Sequence, residues 1–296
     1  MKKFSILIIV TLFTVLIVSL AFDFAYTYIY KNSNPRSKFQ YLRSLKNTKI
    51  NYIFLGSSRV ENGIVSSIIE NNTNKSCVNF GYQASKMGDI YYMLKLLKEY
   101  NISSDYIFIQ IDYIFDIKGY SINLPYEMSP FIRDNSVTKE YMIDYVGQDQ
   151  SNYYVPFFRY CSQGAKIGFR EVVFNLVNKK TTVQKYKGFS PLQGVENQKS
   201  SHEVLPETIS KSNVYFDKIK NYCKKNNIKA VFYCAPFCKH TINLDYVSKL
   251  KKKIPELYDF SNAINDDKMF VQCYHLNENG AEKFTEIFVN KIILSK

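Results

Sequence analysis

The segment Tyr52–Val60, with the sequence YIFLGSSRV, joins a strand to a turn and a helix start. Its first four residues are of the type that strands favour, and Gly56 permits a tight turn. Residues 64–69 then carry the apolar face of a helix. N–H groups at a helix start favour negative charge, so a serine there could attack a carbonyl while these groups hold the oxyanion. The alternative is that Ser57 or Ser58 only caps the helix.

Apolar strands and amphipathic helices alternate along most of the chain. A nearly continuous apolar run is typical of a strand buried on both faces, and apolar residues three and four apart indicate a helix. Further strands are predicted at 76–81, 105–112, 229–234 and 268–272, and helices near 90–97, 165–178, 211–227 and 244–253 and from about 279 onward. This order predicts an α/β fold in which helices flank a parallel sheet.

An uncharged apolar run of 19 residues extends from Phe4 to Phe22 and ends at Asp23. As a helix it would cover roughly 28 Å, about one hydrocarbon core. Its length exceeds the ~7–15 apolar residues of a signal peptide, which favours an uncleaved anchor over a cleaved signal peptide. Lys2 and Lys3 predict a cytoplasmic start. We therefore expect a single-pass protein of the cell membrane with an extracytoplasmic C-terminal domain.

The sequence predicts an N-terminal membrane anchor at 1–30, a basic juxtamembrane stalk at 31–48 and an α/β domain at 49–296. The alternation of strands and helices stops at about 113–207, which is too long for an ordinary loop. This segment predicts an inserted lid or subdomain. Its aromatic residues would either cradle sugar rings or form the insertion's own core, and we favour the core for most of them.

The formal net charge of +13 suits an anionic partner, such as lipid headgroups or an acidic polymer. The lysines are dispersed and no nucleic-acid motif accompanies them, so nucleic acid is not expected as a partner. With 46% hydrophobic and 16% aromatic residues, the chain is too apolar for general disorder. Composition thus indicates a folded protein, and two readings of its charge stay open: a surface that faces an anionic envelope, or a solvated surface with no specific anionic partner.

Six cysteines permit disulfides outside the cytoplasm, although their spacing suggests no small disulfide scaffold. Cys234, Cys238 and His240 have no second ligand pair nearby, so we do not expect a metal site. Cys77, Cys234 and Cys273 adjoin apolar runs, which predicts that they pack in the core as small hydrophobic residues.

The chain has three histidines that could act as the base for a serine nucleophile. His202 lies in polar insertion sequence and His240 in a loop, whereas His275 follows a predicted strand and precedes the last helix. A serine nucleophile needs a base within hydrogen-bond reach. We therefore expect the Ser58 hydroxyl and the His275 ring to meet.

Three motifs, in this order, resemble the conserved blocks of the SGNH/GDSL hydrolase superfamily. The likeness is to its membrane-anchored branch, which is associated with cell-envelope polysaccharide and teichoic-acid acylation. Gly56–Ser58 resembles the first block, Gly-Asp-Ser, with Ser58 in the place of the nucleophile. Asn79–Gly81 resembles the second block, whose glycine N–H helps to form the oxyanion hole. His275–Ala281 resembles the last block, whose histidine is the base.

The resemblance spans about 49–113 and 205–296 and implies a flavodoxin-like SGNH fold. It implies that Ser58 attacks an acyl carbonyl and that His275 moves the proton. The N–H groups of Ser58 and Gly81 would hold the oxyanion, with no metal or organic cofactor. The substrate would be an O-acyl group, most often acetyl, on an envelope polysaccharide or similar glycan. Transfer is favoured over hydrolysis because an integral-membrane acyltransferase often supplies the acyl group in the anchored branch.

Two positions depart from the family pattern. The last block is Asp-x-x-His, but Gln272 occupies the Asp position, where it could orient the imidazole without supplying charge. Asp266 or Asp267 from the preceding loop would be a substitute. The third block normally donates an asparagine amide, and this chain has Gln110 and Asp112 there. Two alternatives follow: a catalytically weak protein that binds glycan or an assembly partner through the insertion, or an anchored structural protein whose serine is only a cap.

Overall fold

The structure is a computed structural model that describes residues 2–195 and 203–295. Its α-helices are α1 (Lys2–Asn32), α2 (Lys38–Ser44), α3 (Ser58–Glu61), α4 (Ser66–Thr73), α5 (Met87–Glu99), α6 (Leu124–Met128), α7 (Ser136–Lys139), α8 (Ser151–Tyr154), α9 (Phe158–Ser162), α10 (Gly164–Ile167), α11 (Phe169–Leu176), α12 (Thr182–Lys185), α13 (Val214–Lys225), α14 (Asp245–Lys253) and α15 (Glu278–Phe288). Its strands are β1 (Lys49–Gly56), β2 (Cys77–Gly81), β3 (Ser103–Gln110), β4 (Ala230–Cys234), β5 (Tyr258–Asp259), β6 (Phe270–Gln272) and β7 (His275–Leu276). Short 3-10 or π segments lie at Tyr113–Phe115, Ser129–Phe131, Glu140–Tyr145, Asp267–Met269 and Val289–Ile293.

Strands β1 to β5 form a parallel sheet in the order β2-β1-β3-β4-β5, which confirms the predicted α/β fold class. Phe54 of β1 pairs with Asn79 on one side and with Phe108 on the other. The strand that follows β1 in the chain, β2, therefore lies on one side of β1, and the next strand, β3, lies on the other side of β1. In open α/β sheets, such a reversal leaves a crevice at the carboxyl ends of the strands. The residues that follow β1 and β3 lie at this edge.

The short strand predicted at 268–272 is present as β6 (Phe270–Gln272), but the prediction that it continues the parallel sheet is wrong. The fifth strand of the sheet is β5, which pairs with β4, whereas β6 pairs antiparallel with β7 in a separate hairpin. The apolar run is short and a turn follows it at once, so its backbone groups find partners locally. The consequence is that Gln272 and His275 sit on the two strands of one small hairpin.

The structure divides into two compact units, whose boundaries differ from the predicted stalk and insertion. One unit comprises the chain up to Gln40 together with Leu124–Thr181. The other comprises Tyr41–Asn123 and the chain from Thr182 onward, and it contains the parallel sheet. The middle of the insertion therefore belongs with α1, while both ends of the insertion belong with the sheet.

Aromatic side chains from the central strands and the last helix form the core of the sheet unit. The Phe54 and Phe108 rings stack with centroids 4.7 Å apart. Phe288 of α15 lies 5.3 Å from the first ring and 5.1 Å from the second. All three side chains are buried. Burial of one phenylalanine contributes about 1.5–3 kcal/mol, so this layer holds α15 firmly against the sheet.

The other unit is built around α1, a helix of 31 residues. Its most apolar window has a mean hydropathy of 2.8 and is not buried, so α1 is long and apolar enough to cross a membrane. Beyond the apolar run, Tyr26 packs against Phe157 and Tyr160, with centroids 5.0 and 5.2 Å away. These insertion aromatics form a small core on α1, whereas Tyr154 and Phe158 are exposed.

Gly81 ends β2 where this strand approaches the turn after β1. A Cβ at this position would lie 2.4 Å from the Glu61 nitrogen and 2.7 Å from Val60 Cβ. Because neither atom belongs to a flexible side-chain end, we expect Gly81→Ala to lower the free energy of unfolding by about 3 kcal/mol, as over-packing does. Denaturant unfolding measures the change. Gly164→Ala is the control, because its Cβ would meet nothing within 4 Å. Equal stability of the two variants would contradict this prediction.

Candidate active site

Two neighbouring serines follow β1 and have different partners. Ser57 is the N-cap of α3, and its Oγ accepts a hydrogen bond from the Arg59 N–H at 3.3 Å. Ser57 Oγ also donates to Gln110 Oε1 at 2.9 Å. Ser58 is the first helical residue, and its hydroxyl faces the hairpin that carries His275. Ser57 therefore caps α3, and the Ser58 hydroxyl is not used as the cap.

The Ser58 hydroxyl and the His275 ring meet, with Oγ 2.7 Å from Nε2. On the other side of the ring, Nδ1 lies 3.4 Å from Gln272 Oε1. An amide oxygen only accepts, so this contact places the imidazole proton on Nδ1 and leaves Nε2 to accept from the serine. A general base requires this tautomer. A separation of 3.4 Å is long for a hydrogen bond, so Gln272 orients the ring only weakly.

Asn277 holds the residues around His275 in place. Its Oδ1 accepts from the Gly280 N–H at 3.0 Å, which caps α15. Its Nδ2 donates to the Lys268 carbonyl at 2.7 Å, which ties the start of α15 to the segment before β6. The Asn-x-x-Gly pattern after the histidine is thus explained by the N-cap of α15, in which Asn277 accepts from the Gly280 N–H.

A disulfide between Cys238 and Cys273 fastens the same hairpin to the loop after β4. The two residues are 35 positions apart, and closing a loop of this size stabilises by roughly 4 kcal/mol when the effect is chain entropy alone. Cys77, Cys234 and Cys273 are all buried, as predicted. Cys77 and Cys234 are free thiols, whereas Cys273 is buried as half of the disulfide. Cys234, Cys238 and His240 were considered above as metal ligands. In the disulfide, the Cys238 sulfur is not available to bind a metal.

A buried ion pair lies beneath the serine turn. Arg59 Nη1 donates to Asp112 Oδ2, and the two side chains are 1% and 0% exposed. Gln110 donates to the same carboxylate, and its Oε1 accepts from the Ser57 N–H at 2.9 Å. These contacts join the carboxyl ends of β1 and β3. Gln110 and Asp112, at the place of the family's third block, are structural partners of the serine turn in this structure.

Arg59 also reaches the loop after β4 and the histidine hairpin. Its Nη2 donates to the Ala235 carbonyl at 2.9 Å, and its Nε donates to the Tyr274 carbonyl at 3.1 Å. The guanidinium carbon lies 3.6 Å from the centre of the Phe237 ring. Arg59 is therefore a positioning residue that links the serine turn to the residue before His275. The sequence signal for it was Gln110 and Asp112, two polar residues that follow the apolar run 106–109, since buried polar side chains need partners.

The two predicted oxyanion donors differ in the structure. Within residues 2–195 and 203–295, the Ser58 N–H has no hydrogen-bond acceptor, as expected in the first turn of a helix. The Gly81 N–H instead donates to Asn79 Oδ1 at 2.9 Å. Asn79 Nδ2 donates in turn to the Val60 carbonyl at 2.7 Å, which anchors β2 to the serine turn. The geometry therefore supports Ser58 as donor, and Gly81 would first have to release its present acceptor.

The other candidates for the base and for its acidic partner do not lie beside Ser58 and His275 in the described residues. Asp266 accepts from the Lys268 N–H, and Asp267 pairs with Lys239 and His240, so neither contacts His275. The prediction that one of them replaces the missing aspartate is wrong. His202 lies outside the residues that the structure describes.

Burial, together with the positive charge of Arg59, lowers the pKa of His275 to about 4. The ring is therefore neutral at pH 7 and can accept a proton. The imidazolium that forms would be next to a guanidinium and have no carboxylate partner. As a general base, His275 would start in the neutral form that it needs, but its low pKa would make it accept a proton weakly.

Comparison of the sequence with models of known protein families gives no match, and no curated protein matches it significantly. Membership of the SGNH superfamily therefore stays a prediction. It rests on the three motifs together with the site geometry described above.

Arg59→Met leaves Asp112 buried without its ionic partner. We expect the free energy of unfolding to fall by about 3–5 kcal/mol, as it does when one partner of a buried pair is removed. The double variant Arg59→Met/Asp112→Asn removes both charges and should recover a large part of the loss. Denaturant unfolding of both variants and the wild type measures this coupling. If the single variant is as stable as the double variant, the ion pair does not hold the site together.

Proposed function

We propose that the chain is a membrane-anchored, SGNH-type serine acyltransferase or esterase. It would act on O-acyl groups, most simply acetyl, of an extracytoplasmic cell-envelope glycan. The observation that carries the proposal is the 2.7 Å contact between Ser58 Oγ and His275 Nε2. The sheet order supports it, because 2-1-3-4-5 is the flavodoxin-like order and Ser58 follows the strand at its switch point.

In this mechanism, Ser58 Oγ attacks the acyl carbonyl while His275 Nε2 takes the hydroxyl proton. The Ser58 N–H donates to the oxygen that becomes negative. His275 then gives its proton to the leaving oxygen, and the acyl group remains on Ser58 as an ester. In transfer, a glycan hydroxyl attacks this ester and regenerates the serine. In hydrolysis, water takes the place of the glycan hydroxyl.

Two further observations support the class of substrate and the location. Ser58 is only 7% exposed, which favours a small acyl group over a long one. The Cys238–Cys273 disulfide favours an extracytoplasmic site, because disulfides persist in oxidising compartments. With α1 in the membrane, an integral-membrane acyltransferase that supplies the acyl group would be a natural partner.

The second candidate is a catalytically weak protein that binds glycan or an assembly partner. The contact at Gln272 favours it, because an uncharged amide 3.4 Å from Nδ1 stabilises the imidazolium poorly. The two candidates differ in whether Ser58 takes up an acyl group.

Acetylation of Ser58 tests the proposed chemistry. The full chain in detergent is incubated with p-nitrophenyl acetate, and intact mass reports an added acetyl group. We expect an adduct or turnover in the wild type and its loss, by about 100-fold or more, in Ser58→Ala and His275→Ala, because both nucleophile and base are needed. Ser57→Ala is the matched control: it should lose about 1 kcal/mol of stability as a cap variant and keep the adduct. The same background signal in all four proteins would favour the binding candidate.

Gln272→Glu tests whether the missing charge limits the base. A carboxylate near Nδ1 would stabilise the imidazolium, so the pKa of His275 should rise and acetylation at pH 7 should increase by about tenfold or more. In the wild type His275 stays neutral until the pH falls toward its pKa of about 4, so the acid limb of the rate should lie there and move to higher pH in the variant. Gln184→Glu adds the same charge at an exposed position and serves as control. An unchanged pH profile in Gln272→Glu would refute this role.

A further inference from the structure

A short aromatic segment of the insertion lies against α1 where the apolar run of this helix ends. Residues 153–158 have the sequence YYVPFF, and we call them the aromatic turn. We propose that the aromatic turn inserts into the interface of the lipid bilayer, beside the point where α1 leaves it. The inference uses the proposed anchoring of α1 but is independent of the chemistry proposed at Ser58.

Three side chains of the aromatic turn are exposed although they are apolar or aromatic. Tyr154 is 62% exposed, Val155 45% and Phe158 38%. Single exposed apolar residues are common on protein surfaces, but a contiguous group marks a surface that contacts a partner or a membrane. Three such residues within five consecutive positions form a group of this kind. Its position on α1 indicates what it contacts.

Phe157 fixes the level of the aromatic turn along α1. The centroid of its ring lies 5.5 Å from that of Phe22 and 5.0 Å from that of Tyr26. The Phe157 φ angle is 64°, a left-handed value that bulky residues rarely adopt, and such strain persists only where the surroundings hold it. Because Phe22 is the last residue of the apolar run, a membrane-spanning α1 places the aromatic turn at the edge of the hydrocarbon core.

Later parts of the insertion contact α1 at positions farther from the apolar run. Tyr30 OH donates to the Ile167 carbonyl at 3.0 Å, and Ser33 Oγ donates to Asn175 Oδ1 at 2.7 Å. Tyr30 is eight positions beyond residue 22, which is about 12 Å farther along a helix. The aromatic turn therefore lies at the membrane end of this series of contacts, and Ile167 lies well outside the hydrocarbon core.

The side chains of the aromatic turn suit the interface of a bilayer rather than its hydrocarbon core. Tyrosine is enriched at this depth because its ring is apolar while its hydroxyl can stay in contact with water. Lys139 Nζ donates to Tyr154 OH at 3.2 Å and lies 4.4 Å from the centre of the Tyr153 ring. A cation at this level attracts anionic headgroups. Apolar groups beside a positive charge are typical of a segment that lies in the interface.

The chain has no tryptophan, so one introduced tryptophan reports the depth of its own position. Full-length protein is reconstituted in phosphatidylcholine vesicles that contain lipid brominated near the carbonyl end or near the methyl end of the acyl chains. Phe158→Trp is the test variant, and Tyr154→Trp replaces it if thermal melting shows that Phe158→Trp is not folded. Leu12→Trp, within the apolar run, reports whether α1 itself lies in the bilayer.

Phe169→Trp is the matched control, because Phe169 is 74% exposed in the same unit. It comes two positions after Ile167, which contacts α1 at Tyr30, outside the hydrocarbon core. Iodide dissolved in the water quenches a tryptophan that is not covered by lipid. Brominated lipid and iodide therefore report opposite environments.

We expect brominated lipid to reduce the emission of Phe158→Trp about twofold, and most strongly when the bromine is near the carbonyl end, because the interface is shallow. Leu12→Trp should be quenched most by lipid brominated near the methyl end. Phe169→Trp should keep its emission in brominated lipid and lose it to iodide. The pattern for Phe158→Trp should persist as the ratio of lipid to protein rises, because lipid and not a second copy of the chain covers the aromatic turn.

Each contrary outcome overturns a different statement. Lipid quenching of Leu12→Trp without that of Phe158→Trp would overturn the proposal and leave α1 as an anchor. Lipid quenching of neither variant would overturn the anchoring on which the proposal rests. Loss of lipid quenching of Phe158→Trp at high dilution in lipid would assign the aromatic turn to contact between copies. Acetylation of Ser58 is measured in the same variants and should not change, so a failure of the proposed chemistry is distinguishable.

Discussion

The site depends on one buried ion pair, between Arg59 and Asp112. Burial of two charges is favourable only when their remaining hydrogen-bonding groups also find partners. Arg59 meets this condition by donating to the carboxylate and to the carbonyls of Ala235, Pro236 and Tyr274. These acceptors come from three separate parts of the chain. The serine turn, the end of β3, the loop after β4 and the histidine hairpin are therefore held as one structure.

The same guanidinium that positions the histidine also opposes its protonation. Arg59 and burial both lower the pKa of His275, and Gln272 supplies no compensating charge. Arg59 therefore helps to place the His275 ring beside Ser58 but makes the ring a weaker base. Under the proposed function, a base of this kind suits an activated acyl donor better than a stable ester, because an activated carbonyl demands less of the base.

The two buried arginines differ in how completely their hydrogen-bond donors are paired. Arg59 donates through all three of its nitrogens to acceptors within the protein. Arg159 is equally buried, yet two of its nitrogens have no acceptor in the described part of the chain. Burial alone therefore says little about the role of a charged side chain. The hydrogen-bond acceptors around the side chain show which parts of the protein it holds together.

The sequence by itself determined the features that depend on neighbouring residues. Apolar runs predicted the parallel strands β1 to β4, the uncharged N-terminal run predicted α1, and the Gly-Ser-Ser turn placed a hydroxyl at the sheet edge. The tertiary structure decided which serine caps α3, where the fifth strand lies, which cysteines pair and how Arg59 is used. The contact between Ser58 and His275 spans 217 positions. Local periodicity follows from the geometry of one helix or strand, whereas contacts over such distances exist only after all elements have packed together.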